Sequence, residues 1–573
     1  MSDHPTAGFS APQCIGQVVR PDNHAMTRTS PLPEDIALAP FIDLPALVAA
    51  HAQARPHADA LVCGELRLDW ATFDAQVEHV AVSLQLEGLA PRQSVAICAT
   101  TGIGYVVAFV GALRAGAAVA PLATSATPAQ LAAMAQDAGA RFVYIDEAVA
   151  AQQVPWPAGC QVRRVEALEA LEAPRAPGAE VQPDPTGLRA TPVAIEPDWP
   201  FNIIYSSGTT GTPKGIVQPH AMRWAHVRRG ALSGYGHDTR TLIATPLYSN
   251  TTLVCLMPTL GWGGCAVLMP RFDVTGYLAL AQAQRITHTM LVPVQYQRLM
   301  AHPEFERYDL SCFRFKFCTS APFHAELKAD VLARWPGGLV EYYGMTEGGG
   351  TCILHAHRHP DKLHTVGQPS EGHDIRLIDE EGVEVPRTPG GASAGSGEVV
   401  GRSPAMMTGY HGQPALTRQA QWHDAQGRRY IRTGDVGRFD EDGFLILHDR
   451  RKDMVISGGF NIYPSDLEAV LRRHPQVADA AVVGVQSARW GETPVGFVVT
   501  VPGAAQAGAS GAQDGAGPDA RAESIRAWAN EQLGKTQRLA DVRIVAELPR
   551  NAIGKVLKRE LRARWEAQPG SAD

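Results

Sequence analysis

The sequence predicts an α/β protein with a large N-terminal domain of parallel-rich sheets and a small, mobile α+β C-terminal domain. Between about residues 45 and 380, short apolar runs such as 94–98 and 141–145 alternate with helical patterns. This alternation is typical of β-α-β units, which form parallel sheets. The chain has 573 residues, more than one hydrophobic core usually serves, so at least two domains are expected.

Changes in composition and pattern suggest where the domains begin and end. We interpret the chain as a loose N-terminal extension, a large domain, a hinge and a small domain, over residues 1–40, 41–449, 450–453 and 454–573. Two stretches rich in small residues, 389–397 and 503–520, predict a flexible turn and a mobile insertion.

The small domain has its own pattern of elements. An apolar run at 454–456 is followed by a helix, for which Ser465 as N-cap and Glu468 three residues later predict a capping box. Two apolar runs at 480–485 and 495–501 then predict strands.

Composition favours a cytoplasmic globular enzyme. Hydrophobic residues make up 45% and charged residues 19%, and the net charge of −7 leaves no basic footprint for nucleic acid. The most apolar stretch, 104–122, contains Arg114 and predicts a buried helix rather than a transmembrane segment. Nine cysteines without a C-x-x-C pair indicate reduced thiols, and the alternating histidines at 355–359 favour a polar loop over a metal site.

The most informative stretch is the run Y-S-S-G-T-T-G-T-P-K-G at residues 205–215. It follows a short apolar run, 201–204, that predicts a buried strand. Glycines let backbone N–H groups converge while hydroxyl groups and a lysine attract anions, so the run predicts a phosphate cradle. Composition alone also allows a surface loop, and Pro213 breaks the order of a Walker loop. The candidate phosphate-binding residues are Ser206, Ser207, Gly208, Thr209, Thr210, Gly211, Thr212 and Lys214.

Four further blocks carry reactive side chains beside glycines. Block 341–347, E-Y-Y-G-M-T-E, sets Glu347 beside Thr346 near a glycine turn, which suits Mg²⁺ bridging phosphate oxygens. Block 430–435 ends in a T-G-D turn whose carboxylate can accept both hydroxyls of a ribose. Blocks 448–462 and 548–555 contain a charge run, paired glycines and a lysine. Taken singly, each block can be an ordinary solvated loop or turn, and for Glu347 and Lys555 alone that interpretation would be favoured.

Taken together and in this order, the five blocks resemble the motifs of the adenylate-forming superfamily, which includes acyl-CoA synthetases, luciferases and peptide-synthetase adenylation domains. The resemblance covers residues 45–565. It implies the acyl- or aryl-CoA synthetase branch, an AMP-forming ligase that uses ATP, Mg²⁺, CoA and a small-molecule carboxylic acid. It leaves open whether the protein forms a homodimer.

The resemblance also implies roles for individual residues. Glu347 would hold the metal, Thr346 the α-phosphate, and Lys214 and Lys555 would be catalytic. Asp435 and Arg450 would bind ribose. Adenine would stack on Tyr343, and the same nucleotide site would include Ser320, Ala321, Pro322, Tyr342 and Gly344. Lys452 falls on the hinge position, and the CoA-binding residues would be Gly458, Gly459, Trp490 and Arg538.

The acyl pocket departs from the family pattern. Many relatives have a histidine after Pro-Leu-aromatic, whereas here Pro246, Leu247 and Tyr248 are followed by Ser249. Three consecutive glycines, 348–350, suggest a wide or deep cavity. We therefore expect a bulky aromatic, cyclic or medium- to long-chain acid. The predicted pocket residues are Tyr248, Ser249, Asn250, Met290, Ser320, Tyr342, Gly344, Gly349 and Gly350.

Two questions about specificity stay open at this point. Arg229 either faces solvent on its helix, which the sequence favours, or enters the pocket, which would favour an acid with a second polar group. The region near Ser249 has no aspartate for an amino-acid substrate, since Asp273 is expected after a later strand. CoA is the favoured thiol. The alternatives are a ligase that loads a carrier protein and a nucleotide-binding homologue without catalysis.

Overall fold

The fold is known from a computed structural model. It describes residues 36, 38–169, 188–206, 214–388, 390–450, 453–457, 460–501, 518–534, 537–551 and 554–568. The predictions for the N-terminal 35 residues, most of the 503–520 insertion and the hinge residue Lys452 therefore concern positions outside the described part.

Two parallel-rich sheets form the body of the large N-terminal part. The first has the strand order Gln368–Pro369, Cys352–His355, Gly338–Tyr343, Phe315–Cys318, His288–Leu291, Arg240–Ile243, Cys265–Leu268, Asp59–Cys63 and Leu66–Asp69. The second has the order Gly409–Tyr410, Lys214–Pro219, Pro200–Ser206, Ala118–Pro121, Ser94–Cys98, Ala140–Ile145 and Gln161–Arg164. Antiparallel pairs occur at the edges, and the interior pairs are parallel, which confirms the predicted α/β class.

Helices cover both sheets and bury the strands between them. They span Leu44–Ala54, Trp70–Leu86, Ile103–Arg114, Pro128–Asp137, Glu147–Ala150, Glu166–Glu169, His220–Arg229, Asn250–Gly261, Val274–Ala283, Pro293–Met300, Ala325–Arg334 and Pro414–Gln419, with 3₁₀ turns at Gly230–Ser233 and Phe305–Arg307. Side chains at their first turns satisfy free N–H groups, as where Asp273 caps the helix after its strand.

The apolar stretch 104–122 is a buried helix followed by a strand. The helix Ile103–Arg114 is buried over almost its whole length, and Ala118–Pro121 lies inside the second sheet. At the end of the helix, the Arg114 guanidinium pairs with Asp74 at 2.5 Å and Glu78 at 3.3 Å. Within the described residues, no helix is long and apolar enough to cross a membrane.

A third sheet, not predicted, is antiparallel. It has the order Asp374–Ile378, Gly397–Arg402, Arg429–Phe439 and Gln421–His423, with Leu445–Arg450 also paired to the long strand. The T-G-D sequence lies in the middle of the long strand Arg429–Phe439. The strand Leu445–Arg450 ends where the predicted hinge begins.

The C-terminal part is the predicted α+β unit. Its sheet has the order Phe460–Ile462, Val455–Ser457, Gly491–Thr500 and Val477–Ser487, with Asp541–Ile544 paired to Gly491–Thr500 and helices at Pro464–Arg472, Pro518–Gln532 and Lys558–Ala567.

The predicted capping box of this unit is wrong. The helix begins at Pro464 with Tyr463 as N-cap, and no side chain caps it. The Ser465 hydroxyl instead donates to the carbonyl of His448, while Glu468 accepts from the Val482 N–H and pairs with Lys558. Tertiary partners therefore take both side chains that local capping would have used.

Candidate active site

The predicted phosphate loop connects two paired strands of the second sheet. Pro200–Ser206 and Lys214–Pro219 are antiparallel, and Ser206 lies opposite Lys214. The loop residues Ser207, Gly208, Thr209, Thr210, Gly211 and Thr212 lie outside the described part, as does the side chain of Ser206. The strand pairing nevertheless brings both ends of the loop to one edge of the sheet.

At that edge, Lys214, Tyr410 and Glu347 form a cluster. The Tyr410 hydroxyl donates to Oε1 of Glu347 at 2.9 Å, and Lys214 Nζ lies 5.7 Å from the Tyr410 ring centroid. Tyr410 belongs to the short strand paired to Lys214–Pro219. It therefore fixes the Glu347 carboxylate relative to the phosphate loop. No sequence motif identified Tyr410.

A buried polar network holds the turn that carries Thr346. Gln218 donates through Nε2 to the Thr346 carbonyl at 2.6 Å and accepts from Asn202 at 2.8 Å. The fully buried Arg223 donates to both amide side chains, to Asn202 at 2.9 Å, and burial lowers the pKa of its guanidinium to about 9. Because each member is hydrogen-bonded, the network can fix the position of Thr346.

The third sheet brings the predicted ribose residues to the predicted adenine residue. The Tyr343 hydroxyl donates to Oδ2 of Asp435 at 2.9 Å, although the two residues are 92 positions apart. Burial, and next the charge of Asp435, raises the pKa of Tyr343. The Arg450 backbone lies directly opposite Asp435 on the neighbouring strand, while its side chain is outside the described part.

The turn after the strand Phe315–Cys318 is strained at Ser320. Its φ is +83°, a left-handed conformation that a serine rarely adopts, and its hydroxyl is 2.5 Å from that of Thr251. Ala321 beside it is half-buried and Pro322 is exposed. Strain of this kind clusters at ligand-binding sites.

A cavity lies beside the same sheet, below the helices His220–Arg229 and Asn250–Gly261. It is narrow, with a volume of about 10 Å³, and its walls include Arg229, Ser233, Tyr235, Met290, Phe317 and Tyr342. Met290 and Tyr342 were predicted to line the acyl pocket. The preferred orientation of Arg229 toward solvent is wrong, because its guanidinium lies 4.6 Å from the Tyr342 ring centroid.

The three consecutive glycines, 348–350, allow close packing of the backbone and do not open the wide cavity that was predicted. A Cβ at Gly348 would lie 2.0 Å from the carbonyl oxygen of Ala405, and one at Gly350 would lie 1.7 Å from Cδ1 of Ile375. Gly349 would meet the Gly401 carbonyl at 2.9 Å. These glycines let two chain segments pack closely, so their lack of side chains is no evidence for a wide cavity, and they are not among its lining residues.

The predicted pocket residues around Ser249 form the start of a helix. Ser249 is buried, and its hydroxyl caps the helix Asn250–Gly261 by accepting from the Thr251 N–H at 3.3 Å. Asn250 accepts from Gln218 at 3.3 Å, and the neighbouring Tyr248 is half-buried. Gly344 is exposed on the turn before Thr346. Ser249 stands where many relatives have a histidine. Its hydroxyl caps the helix instead of offering a free hydrogen-bonding group to the pocket.

The C-terminal lysine lies on a turn seated against the large part. Gly554 is buried with φ +77°, and a Cβ there would lie 2.8 Å from Cγ1 of Val294. The same Cβ position would lie 3.5 Å from Cγ2 of Val292, which is two residues after the cavity residue Met290. The turn that carries the half-buried Lys555 therefore packs against the start of the helix Pro293–Met300.

Side chains of the C-terminal part fix the shape of this turn. The Lys555 N–H donates to Oδ1 of Asn551 at 2.9 Å. Arg550 donates to the Gly554 carbonyl at 2.6 Å and pairs with Asp479 at 2.6 Å. Neither Asn551 nor Arg550 was identified from the sequence.

The predicted CoA residues are only partly described. Trp490 is 45% exposed at the hairpin between Val477–Ser487 and Gly491–Thr500, with the Arg489 guanidinium 4.7 Å from its ring centroid. Ser457, which precedes the undescribed Gly458 and Gly459, pairs with Gly491. Arg538 is exposed before the strand Asp541–Ile544.

Comparison with known families assigns the chain. The family described as AMP-binding enzyme matches residues 48–411, more than half of the chain. The chain belongs to the AMP-binding enzyme family. The AMP-binding enzyme C-terminal domain matches residues 466–555, which include the turn with Lys555.

Relatives place this AMP-binding enzyme in the acyl-CoA synthetase branch. It is 34% identical to a feruloyl-CoA synthase of Amycolatopsis sp over 520 residues, which cover 90% of this chain and 97% of that protein. It is 30% identical to a fatty acid–[acyl-carrier-protein] ligase, ScoC, of Streptomyces coeruleorubidus, over 90% of this chain and 95% of that protein. ATP-bound MatB of Rhodopseudomonas palustris has a similar structure, with a TM-score of 0.77, 27% identity and coverage of 91% and 99%. The chain is an AMP-forming acid–thiol ligase.

Proposed function

We propose that this AMP-binding enzyme activates a bulky aromatic, cyclic or medium- to long-chain carboxylic acid with ATP and transfers the acyl group to CoA. The observation that carries this proposal is the seating of the Lys555 turn against Val292 and Val294, which follow the cavity residue Met290 in the sequence. We expect this turn to bring the Lys555 cation to the nucleotide residues Thr346 and Glu347. The similarity to a feruloyl-CoA synthase supports a bulky acid.

In the first half-reaction, the substrate carboxylate attacks the α-phosphorus of ATP and pyrophosphate leaves. Negative charge shifts among phosphate oxygens in the transition state, so preorganised cations and N–H donors are the appropriate catalysts. Lys555 and Lys214 supply the positive charges, and Thr346 lies on the turn held by Gln218. Tyr343 and Asp435 hold the nucleoside, with Arg450 on the adjacent strand.

The residues present fit a magnesium ion bound mainly through ATP. Within the described residues, no group of three acidic, histidine or cysteine side chains could hold a metal alone. Mg²⁺ commonly binds through one or two carboxylates, substrate phosphates and water, which agrees with the single carboxylate Glu347. When bound, the ion neutralises charge on the phosphates. Tyr410 fixes one oxygen of that carboxylate and leaves the other to the ion.

In the second half-reaction, the CoA thiol attacks the acyl-adenylate and AMP leaves. Lys555 must withdraw for the thiol to reach the acyl carbon. Rotation of the small domain about Lys452 would remove the Lys555 turn and bring Gly458 and Gly459 to the site. We assign the conformation with Gly554 against Val294 to the first half-reaction.

A panel of carboxylic acids assayed with and without CoA tests this function. Pyrophosphate release with an aromatic or long-chain acid, followed by an acyl-CoA product detected by mass spectrometry, is the expected result. Formation of ADP, or no pyrophosphate release by any acid, would contradict the proposal. Parallel assays with a phosphopantetheinylated carrier protein test the second candidate acceptor, which the similarity to ScoC favours.

Replacing Gly554 with alanine is expected to impair the first half-reaction selectively. The added Cβ would lie 2.8 Å from Cγ1 of Val294, and the alanine would have to adopt a left-handed φ. The Lys555 turn therefore cannot seat fully. We expect about a tenfold loss in adenylate formation, with little change in thioester formation from supplied acyl-adenylate. Pyrophosphate release and thioester formation, measured separately, check this.

The matched control is Gly427→Ala. Gly427 also has a left-handed φ, +73°, but nothing lies within 4 Å of its Cβ position. If both alanine variants lose adenylation equally, backbone strain explains the loss and the seating of Gly554 does not.

Lys452→Pro is expected to impair thioester formation more than adenylate formation. Proline restricts the backbone rotation that a hinge requires, so we expect the change between the two conformations to be impaired most. Single-turnover rates of the two half-reactions provide the measurement. Unchanged thioester formation would argue against a hinge at this position.

A further inference from the structure

One wall of the cavity lined by Met290 and Tyr342 carries a charged side chain, Arg229. Arg229 ends the helix His220–Arg229 and is half-buried above the ring of Tyr342, at 4.6 Å from its centroid. Tyr342 stacks on Phe317 at 5.7 Å, and Phe317 stacks on Tyr235 at 6.1 Å. This aromatic stack holds the ring on which the guanidinium lies, so the cation is positioned rather than free in solvent.

The Arg229 guanidinium has no anionic partner in the described part of the chain. None of the residues that line the cavity is acidic, and no ion pair or hydrogen bond joins this guanidinium to a described residue. Charges withdrawn from water are usually paired with an opposite charge. The cavity therefore offers a binding site for an anion that comes with the ligand.

The other titratable groups around Arg229 increase this preference. Burial, and next the charge of Arg229, lowers the pKa of His226 far below its usual range and that of His373 to about 4. Neither imidazole supplies a negative charge. The buried phenols of Tyr235 and Tyr342 have pKa values raised by burial, so they are neutral and can donate hydrogen bonds.

We propose that Arg229 binds a second carboxylate on the substrate, so that the enzyme prefers dicarboxylic acids and activates the carboxyl group distant from Arg229. This inference rests on the proposed function. Met290 and Tyr342, both predicted from the sequence to line the acyl pocket, line the same cavity as Arg229, so the guanidinium belongs to the predicted acyl pocket. The planar fork of arginine matches a carboxylate in two parallel hydrogen bonds.

The test compares acids that are equal in size and differ in charge. The probes are 4-carboxycinnamate with 4-carbamoylcinnamate, and linear dicarboxylates of six to ten carbons with their monoamides. The proteins are the full-length enzyme, Arg229→Met, Arg229→Lys and Arg228→Met. Arg228 is the matched control, because it is the neighbouring arginine on the same helix and is exposed.

The expected result is a preference of about 10- to 100-fold in kcat/KM for the dicarboxylate over its amide. Arg229→Met should remove that preference by lowering kcat/KM for the dicarboxylate alone, Arg229→Lys should restore part of it, and Arg228→Met should leave it unchanged. Calorimetric binding of each acid should show the same pattern without turnover.

Other results would overturn the inference and separate it from the proposed function. If acids are converted to thioesters but the unaltered enzyme binds diacid and amide equally, the role of Arg229 is wrong and the ligase function stands. If Arg229→Met weakens both acids of a pair equally, Arg229 is structural. If no acid releases pyrophosphate, the proposed function fails, and calorimetry still decides whether Arg229 selects the dicarboxylate.

Discussion

Lys555→Ala is expected to lower the rate of adenylate formation by about 10²- to 10³-fold, the usual cost of removing one preorganised group that stabilises transition-state charge. The Lys555 turn is held by Asn551 and Arg550 and seated through Gly554 on the large part of the molecule. Because alanine leaves these contacts in place, the variant loses the positive charge but keeps the seating of the turn. Pyrophosphate release in a single turnover measures the effect.

The second half-reaction is the internal control for this variant. Thioester formation from supplied acyl-adenylate should proceed at nearly the unaltered rate, since in the proposed mechanism Lys555 withdraws from the site before that step. Lys555→Arg, which retains the positive charge, should recover part of the adenylation rate. Equal loss of both half-reactions in the alanine variant would contradict the assigned role.

Glu347→Gln is expected to lower adenylation by about 10²-fold and to shift the Mg²⁺ concentration needed for half-maximal rate upward. The amide is equal in size and can still accept from the Tyr410 hydroxyl, so the variant removes charge and little else. The rate of pyrophosphate release over a range of Mg²⁺ concentrations provides the measurement.

Tyr410→Phe separates the position of Glu347 from its charge. Phenylalanine removes the 2.9 Å hydrogen bond to Glu347 and leaves the Glu347 carboxylate in place. We therefore expect the rate of adenylation to fall about tenfold. Lys214 lies over the same ring and retains its contact in this variant. If Glu347→Gln left both the rate of adenylation and its Mg²⁺ dependence unchanged, Glu347 would be excluded as the metal ligand.

The sequence predicted most of the fold and the regions that assemble the site. Alternating apolar runs identified the parallel sheets, since buried strands and helices impose different periods. Motifs predicted that Tyr343 and Asp435 would serve one ligand, and the structure joins them by a hydrogen bond. The antiparallel third sheet was missed because its strands carry less distinctive patterns.

The residues that support the site were beyond sequence reasoning for physical reasons. Tyr410 and Gln218 act through contacts with distant segments, which no local pattern records. The orientation of Arg229 depends on its stacking partner, Tyr342, from another strand. The triple glycine was misread because a missing side chain serves an open cavity and a close packing contact equally well.

One measurement tests the central claim most directly. The enzyme is mixed with an accepted acid and ATP labelled at the α-phosphate, one portion is quenched after a single turnover, and CoA is added to the unquenched remainder before it is sampled. The account predicts an enzyme-bound acyl-adenylate and pyrophosphate before the addition, then acyl-CoA and free AMP after it. An acyl-adenylate that CoA does not consume, or label recovered as ADP, would contradict the account.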